Sequence, residues 1–284
     1  IIAKFVNAST VDGFNPYRIT RDGIDWEVIE PHHPWSHIGY WGDHQIVYLL
    51  RFLEALEHHA PGELAQQLER AIYSYADVPY RLKSYAAMLE DPHSTIDFAA
   101  DLATRIHARV EDLGTDGKLV TDPDGRIRHV NLLEKLVVPA LCKLSNLVPD
   151  AGIWMNTQRP EWNDANNALV GYGVSVVTLA HLHRTLLFLS ELFAARGDAR
   201  VPVSAEVVAW AREIRDILEQ RPARSFPGER GDRDRWDTLA ALGGAYSRYR
   251  EGVYAHGLTG SESYAVADAL ALLEAALEHT EQAL

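Results

Sequence analysis

Apolar residues recur at helical spacing along most of this 284-residue chain. The clearest stripe follows Asp43, where the apolar residues are Ile46, Leu49, Leu50, Leu53 and Leu56. Apolar residues three and four apart cover one face of a helix, and that face must be buried against another element. Similar spacing predicts helices over residues 64–75, 81–89, 96–110, 132–147, 170–189, 207–218, 236–249 and 266–277. The chain is therefore expected to fold as about nine helices.

Two of these helices are too apolar to lie on a surface. Residues 132–147 and 170–189 are apolar on nearly every face, and Pro139 is expected to kink the first of them. We expect strands only in residues 118–130, as a hairpin whose turn is Asp122-Pro123-Asp124-Gly125. Buried inner helices surrounded by amphipathic ones favour an all-α fold built as a closed double ring over a simple bundle.

Charge and cysteine content limit the classes of function. The chain has 27 basic and 40 acidic residues, a net charge of −13, so we expect neither a nucleic-acid partner nor an anionic membrane surface. No apolar run reaches the ~20 residues that a membrane span needs. The single cysteine, Cys142, excludes an internal disulfide. The chain begins Ile1-Ile2-Ala3 and its methionines are Met88 and Met155, so we expect it to be part of a longer, cytoplasmic parent chain.

Aromatic residues concentrate in two segments that lack helical spacing. Residues 31–44 have the sequence PHHPWSHIGYWGDH, and residues 154–167 have the sequence WMNTQRPEWNDANN. With Trp26, these segments hold five of the seven tryptophans. Loops normally carry small polar residues, so this aromatic surface indicates a binding role. An aromatic ring stacks on the apolar C–H face of a sugar, while nearby carboxylates, amides and imidazoles hydrogen-bond its hydroxyls.

The two segments share a Trp-x-Asp tripeptide directly before an apolar helix. Trp41-Gly42-Asp43 precedes one such helix, and Trp162-Asn163-Asp164 precedes another. Loops that enter the inner helices of a ring open at one end, so both aspartates are expected to line one bowl. Alternatively, each aspartate serves only as a helix N-cap. A helix N-terminus lowers a carboxylate pKa, which opposes a general-acid role unless burial against Trp162 and Glu161 raises it.

Two other motifs have alternative interpretations. His32, His33, His37 and His44 lie close together in sequence, as metal ligands do, but no second cluster completes a site and His-aromatic loops also bind sugars. We therefore predict neither a metal nor a cofactor. Gly171-Tyr172-Gly173 is typical of close backbone packing or a helix start, and it is not a phosphate loop because no strand is predicted before it.

At these residues the sequence resembles the six-hairpin, (α/α)6-toroid glycosidases and phosphorylases, most closely the catalytic domains of the cellobiose- and chitobiose-phosphorylase type. In that family a Trp-Asn-Asp motif supplies the general acid, and here it reads Trp162-Asn163-Asp164-Ala165-Asn166-Asn167. An earlier aromatic/Gly–Asp segment supplies a carboxylate to the sugar subsite, and its counterpart is Gly39-Tyr40-Trp41-Gly42-Asp43. The resemblance implies a toroid domain over residues 34–284, entered by an irregular segment over residues 1–33. Such rings have twelve helices, so the toroid is expected to be incomplete in this chain, with the missing part upstream.

The resemblance implies cleavage of a glycosidic bond with inversion, with Asp164 as the acid that protonates the leaving oxygen. In a hydrolase a second carboxylate, Asp43, Glu251 or Glu262, activates water at roughly 6.5–9.5 Å from the acid. In a phosphorylase inorganic phosphate is the nucleophile, and Thr259-Gly260 is a candidate element to bind it. The acidic charge favours hydrolysis of a neutral oligosaccharide or glycoside. The expected sugar-binding residues are Trp41, Asp43, His37, His44, Arg159, Glu161, Trp162, Asn163 and Asn167.

Two other classes of function stay open. The first is a helical toroid without catalysis that binds glycans or serves as a scaffold in a larger protein. The second is a helical interaction domain whose aromatic loops form a protein interface. Sugar binding without bond cleavage indicates the first class, and capture of a defined protein partner without sugar binding indicates the second.

Overall fold

The computed structural model describes residues 2–15, 18–20, 23–25, 45–156, 171–221 and 228–284. Of these residues 61% are helical and 13% lie in strands, which confirms the predicted predominance of helices. The α-helices are α1 (Ile2–Asn7), α2 (Gln45–His59), α3 (Glu63–Gln67), α4 (Tyr85–Glu90), α5 (Ala100–Leu113), α6 (Leu132–Leu144), α7 (Val176–Ala194), α8 (Ala205–Gln220), α9 (Gly228–His256) and α10 (Val266–Gln282). A 3₁₀ helix, Gly114–Lys118, follows α5.

Short antiparallel sheets lie between the helices. The strands are β1 (Arg18–Thr20), β2 (Gly23–Asp25), β3 (Tyr80–Leu82), β4 (Ile96–Phe98), β5 (Leu147–Val148), β6 (Gly152–Trp154), β7 (Val174–Ser175), β8 (Arg200–Ser204) and β9 (Ser261–Ala265). β1 pairs with β2, β3 with β4, and β8 with β9. The remaining three strands form one sheet in the order β5-β6-β7.

The expectation that strands are confined to residues 118–130 is wrong. The turn predicted there does form, because Asp122 N donates to Arg126 O at 2.8 Å, but its flanks make only an isolated bridge between Thr121 and Ile127. The longest paired strands are β8 and β9, of five residues each, and they lead directly into α8 and α10. Helices α8 and α10 therefore each begin directly after a strand of this small sheet.

Several helix boundaries also differ from the prediction. The helix expected over residues 64–75 ends at Gln67, since the chain beyond it makes extended bridges, such as Tyr73 with Val130. The helix expected from residue 96 starts at Ala100, because Ile96 belongs to β4.

Helix α6 is the centre of the fold. All thirteen of its residues are buried, as its apolar sequence predicts, and the helix runs through Pro139. Residues 8–15 are buried beside it, and Gly13 takes φ +83° against Cys142 and the Val138 carbonyl. The described part of residues 1–33 therefore differs from the irregular entry expected, because it supplies α1, a hairpin and a turn buried in the core.

The two ends of the helical assembly are distinct. The β5-β6-β7 sheet joins the end of α6 to the start of α7, which follows β7 directly. The start of α9 lies there too, because Arg235 bonds Asp150 in the β5–β6 turn at 3.1 Å. We call this the β6 end. The opposite, β8 end holds the β8–β9 sheet and the start of α6, where Glu134 accepts a 2.8 Å hydrogen bond from Ser204 N.

Helix α2 also starts at the β6 end. Arg184 on α7 bonds Glu54 on α2 at 2.6 Å, and farther along the chain Arg196 bonds Glu69. The charge of Arg51 on α2 also acts on His181 on α7, so residues 51 and 54 face residues 181 and 184 in the same order. Glu69 and Arg196 lie beyond the ends of α2 and α7, on the same side, so the two helices run parallel. The starts of α2, α7 and α9 thus share one end.

By length and composition, α7 alone among the described helices could cross a membrane. It has a buried stripe that includes Leu179, Leu182, Leu186 and Leu189. The helix packs against α10, α2 and α6. These contacts cover only part of the helix, because Val176, Val177 and Leu187 are about half exposed, so the burial expected for this apolar segment on nearly every face is not observed.

Candidate functional site

The predicted sugar site lies in two segments outside the described residues, 26–44 and 157–170. The site residues that fall there are His37, Trp41, Asp43, His44, Arg159, Glu161, Trp162, Asn163, Asp164 and Asn167. Their roles stay predictions. The chain on either side of both segments is described, and it shows how they are attached to the fold.

The described residues on either side of segment 157–170 meet in a hydrogen-bonded neck. Gly171 N donates to Met155 O at 2.6 Å, and Met155 N donates to Gly173 O at 3.0 Å. The indole Nε1 of Trp154 donates to Gly171 O at 3.0 Å. We call Trp154–Asn156 together with Gly171–Gly173 the loop neck. It fixes where the segment leaves the fold and where it returns.

The loop neck is fastened to the end of α6 by buried amides. Asn156 Nδ2 donates to Asn146 Oδ1 at 2.6 Å, and Asn146 Nδ2 donates to Cys142 O at 2.8 Å. The backbone of Trp154 also donates to Asn146 O at 2.8 Å. A buried amide without partners is costly, so this chain of hydrogen bonds favours one arrangement of the neck.

Close packing supports the return side of the neck. Gly171 has φ +82°, and a Cβ added there would overlap Pro92. The ring of Tyr172 lies 5.2 Å from the ring of His93. His93 N in turn donates to Asp91 Oδ1 at 3.1 Å. Gly171 is therefore required both for its positive φ and for the approach of the 91–93 turn.

Aromatic packing supports the exit side. The Trp154 ring meets the Tyr85 ring edge to face at 5.9 Å. The Tyr85 ring in turn covers Gly243 on α9. Burial raises the pKa of Tyr85 to about 12, and its buried hydroxyl has no hydrogen-bond partner among the described residues. The phenol is therefore neutral at physiological pH and serves here as a packing group.

Only one flank of segment 26–44 is placed at the β6 end, where α2 begins at Gln45. On its other side, β2 ends at Asp25 and contacts the 3₁₀ helix Gly114–Lys118. Earlier in the chain, Phe14 lies under the ammonium of Lys143 at 4.4 Å, beside the last turn of α6, and buried Asn15 follows. The Asn15 Oδ1 atom has no partner among the described residues.

The two described carboxylates predicted as catalytic lie toward the other end. Glu262 is exposed on β9 and bonds Arg212 at 3.1 Å. Glu251 is exposed near the end of α9, which finishes at His256. The structure does not bring either residue together with the loop neck.

The candidate phosphate element is already engaged by an acid. Both N and Oγ1 of Thr259 donate to Glu206 Oε1, the first at 2.9 Å. Gly260 O accepts a 3.0 Å hydrogen bond from Arg128. Because a carboxylate repels phosphate, this arrangement does not favour phosphate binding at Thr259-Gly260.

Sequence reasoning missed a buried polar cluster at the β8 end. Glu134 accepts hydrogen bonds from Tyr75 Oη at 3.0 Å and Ser204 Oγ at 2.9 Å. Lys135 donates to Ser9 O at 3.0 Å and lies 3.7 Å from the centre of the Tyr75 ring. Burial raises the pKa of Glu134 and lowers that of Lys135 well below its ordinary value. The sequence did contain a signal for this cluster, because Glu134 and Lys135 are adjacent charged residues inside a helix predicted to be buried.

A second missed cluster ties residues 8–15 to α9. Tyr254 Oη donates to Asp12 Oδ1 at 2.8 Å, and Tyr249 Oη donates to Val11 O at 2.9 Å. Tyr246 Oη donates to Asp12 O. These hydroxyls satisfy the acceptors of a buried turn, so the cluster has a structural role.

Within the described ranges, no group of three or more His, Cys, Asp or Glu side chains is arranged to hold a metal ion. The cluster of His32, His33, His37 and His44 lies outside those ranges. No protein-family model matches the chain, and no curated protein matches it.

Proposed function

We propose that this chain is the catalytic part of a carbohydrate-active enzyme that cleaves a glycosidic bond with inversion, with Asp164 as general acid. Its fold would be an (α/α)6-type toroid that is incomplete in this chain. The observation that supports the proposal is the parallel arrangement of α2 and α7, whose starts share the β6 end.

This arrangement matters because each helix follows one of the Trp-x-Asp tripeptides. Asp43 stands two residues before α2. Asp164 stands in the segment closed by Met155 and Gly171, twelve residues before Val176, because α7 begins later than the predicted residue 170 and follows β7. If the two helices ran in opposite directions, the aspartates would belong to opposite ends of the fold. Inversion instead needs two carboxylates on the same substrate, roughly 6.5–9.5 Å apart.

Among the candidates for the second carboxylate, Asp43 is favoured. Glu251 and Glu262 lie toward the β8 end, and Glu262 already bonds Arg212. Hydrolysis is favoured over phosphorolysis, because Thr259 is engaged by Glu206 and the chain carries a net charge of −13. The substrate would be a neutral oligosaccharide, and Asp43 would activate the attacking water.

The test compares Asp164→Asn with the wild type on a cello- or chito-oligosaccharide that the wild type cleaves. We expect kcat to fall by about 10²–10⁴, because the amide cannot protonate the leaving oxygen. On an aryl glycoside whose leaving group needs no protonation, the variant should lose far less. The matched control is Asp198→Asn, at an exposed aspartate beside β8, which should turn over as the wild type does.

Full turnover by Asp164→Asn on the unactivated substrate would remove Asp164 from the acid role. Calorimetric binding of these sugars with no bond cleavage by the wild type would favour the non-catalytic glycan-binding or scaffold toroid.

A further inference from the structure

We propose that Tyr172 is a stacking platform that binds a sugar ring of an oligosaccharide beside the loop neck. The inference rests on the substrate class proposed above, and it names a binding residue outside the Trp-x-Asp motifs. It also makes the substrate an oligosaccharide with more than one ring in contact with the protein.

Tyr172 is presented to solvent from a fixed backbone. Its side chain is 70% exposed, more than the other exposed large apolar side chains of the described residues. The residues on either side are held by Met155, through Gly171 N at 2.6 Å and Gly173 O at 3.0 Å. A rigid platform loses little conformational entropy when a ligand binds, which favours affinity.

The surroundings of the ring suit a sugar. The His93 ring contacts the Tyr172 ring at 5.2 Å with an interplanar angle of 59°, so it supports one side and leaves most of the ring open. The phenol hydroxyl and the imidazole provide hydrogen-bonding groups at the rim of an apolar surface. A pyranose has the complementary pattern of an apolar C–H face with hydroxyls around its edge.

The location links this platform to the proposed site. Tyr172 belongs to the loop neck, where segment 157–170 with the proposed acid rejoins the fold. Tyr172 would therefore add a contact to a sugar ring beyond those proposed for the Trp-x-Asp tripeptides, and longer oligosaccharides would bind more tightly than disaccharides.

The experiment measures calorimetric dissociation constants for cellobiose, cellotetraose, chitobiose and chitotetraose, with Asp164→Asn present in every protein compared, so that the sugars are not cleaved during the titration. We expect one tetrasaccharide to bind more tightly than its disaccharide, and Tyr172→Ala to weaken tetrasaccharide binding about tenfold. Tyr172→Phe keeps the ring and should stay within about threefold of the protein that retains Tyr172. The matched control is Phe98→Ala, which removes another exposed aromatic ring, 52% exposed, from β4. Its partner strand β3 hydrogen-bonds the last turn of α9, at the end of that helix opposite to the β6 end.

Unchanged tetrasaccharide binding in Tyr172→Ala would overturn the inference, as would a wild type that binds none of the four sugars. The two proposals fail separately. Tetrasaccharide that binds through Tyr172 but is never cleaved contradicts the proposed reaction and supports the platform. Cleavage with the same KM in Tyr172→Ala and wild type supports the reaction and contradicts the platform.

Discussion

Gly13 makes it possible for residues 8–15 to pack inside the helical core. Its φ is +83°, and an added Cβ would lie 2.6 Å from Cys142 Cβ and 2.9 Å from Val138 O. Gly62 is a matched position, because its φ is +80° but nothing lies within 4 Å of an added Cβ. A substitution at Gly62 therefore measures the cost of the backbone conformation alone, whereas a substitution at Gly13 measures that cost together with steric overlap.

We expect Gly13→Ala to lower the free energy of unfolding by about 3 kcal/mol or more, because positive φ and overpacking both contribute. Gly62→Ala should cost only about 1 kcal/mol, from the backbone alone. Urea unfolding followed by circular dichroism measures both values. Equal losses would show that the core relaxes around the added methyl group without cost.

Lys135 carries a buried amine whose ionisation opposes folding. Its pKa in the folded chain is well below its ordinary value near 10.4, because burial penalises the charged form. The unfolded state then binds more protons between the two pKa values, so stability rises with pH across that interval. The interval ends at the unfolded pKa, above which both states hold a neutral amine.

We expect Lys135→Met to be about 2 kcal/mol more stable than wild type at pH 7, with the advantage shrinking toward pH 10. Ser9 O keeps a partner in this variant, since it also accepts from Ala76 N at 3.1 Å. Urea midpoints at both pH values measure the effect, and exposed Lys4→Met is the control. A difference that does not change with pH would contradict this account of Lys135.

At the scale of elements, one of the hydrogen bonds that close the loop neck comes from an indole and can be removed by a substitution that keeps an aromatic ring. Trp154→Phe loses the bond to Gly171 O and should increase hydrogen exchange at the amides of Met155 and Gly171 about fivefold, equivalent to ~1 kcal/mol. Tyr75→Phe loses a comparable buried bond, from Oη to Glu134 Oε1 at 3.0 Å, at the β8 end. It should lower global stability yet leave exchange at the neck unchanged. Equal exchange at the neck in Trp154→Phe and wild type would contradict the role of the indole.

The elements that the sequence predicts well are the amphipathic helices. Helices α2, α8 and α10 form where the apolar stripes predict them. Each of them buries one face, and burial of one face requires apolar residues at a spacing of about 3.6. The strands β8 and β9 were missed for a physical reason. In β8, buried Val201 and Val203 alternate with exposed Arg200 and Pro202, but the alternation is short and a proline argues against a strand. β9 buries only Tyr264, so it has no clear two-residue period.

The sequence predicted the candidate site only through the residue composition of two segments, and not through the contacts of its side chains. Aromatic segments before apolar helices drew attention to residues 31–44 and 154–167, and the loop neck at Trp154 lies within the second of them. The contacts that build the neck were not predictable, because Asn146, Pro92 and Gly171 are brought together by tertiary packing and no local pattern encodes that.

At the scale of the whole molecule, helix α6 and residues 8–15 form a shared interior. The helix is buried on every side, and the turn beside it supplies acceptors to three tyrosine hydroxyls of α9. Sequence periodicity indicates which faces are buried, but it does not indicate which helices are neighbours. The arrangement of the helices was for that reason beyond the sequence, whereas the burial of α6 was predictable.

The N-terminal turn should therefore be required for the fold of this chain. Deleting residues 1–15 removes buried Val6, Val11 and Phe14, each worth about 1.5–3 kcal/mol. It also leaves the hydroxyls of Tyr249 and Tyr254 without acceptors, at about 1 kcal/mol or more each. The loss exceeds about 5 kcal/mol, comparable to the whole stability of a typical domain. We expect the shortened chain to lack a cooperative thermal transition in near-ultraviolet circular dichroism, whereas deleting the C-terminal residues Ala283 and Leu284, of which Leu284 is 59% exposed, should preserve it. A cooperative transition at an unchanged temperature without residues 1–15 would show that α6 is stabilised by the other helices alone.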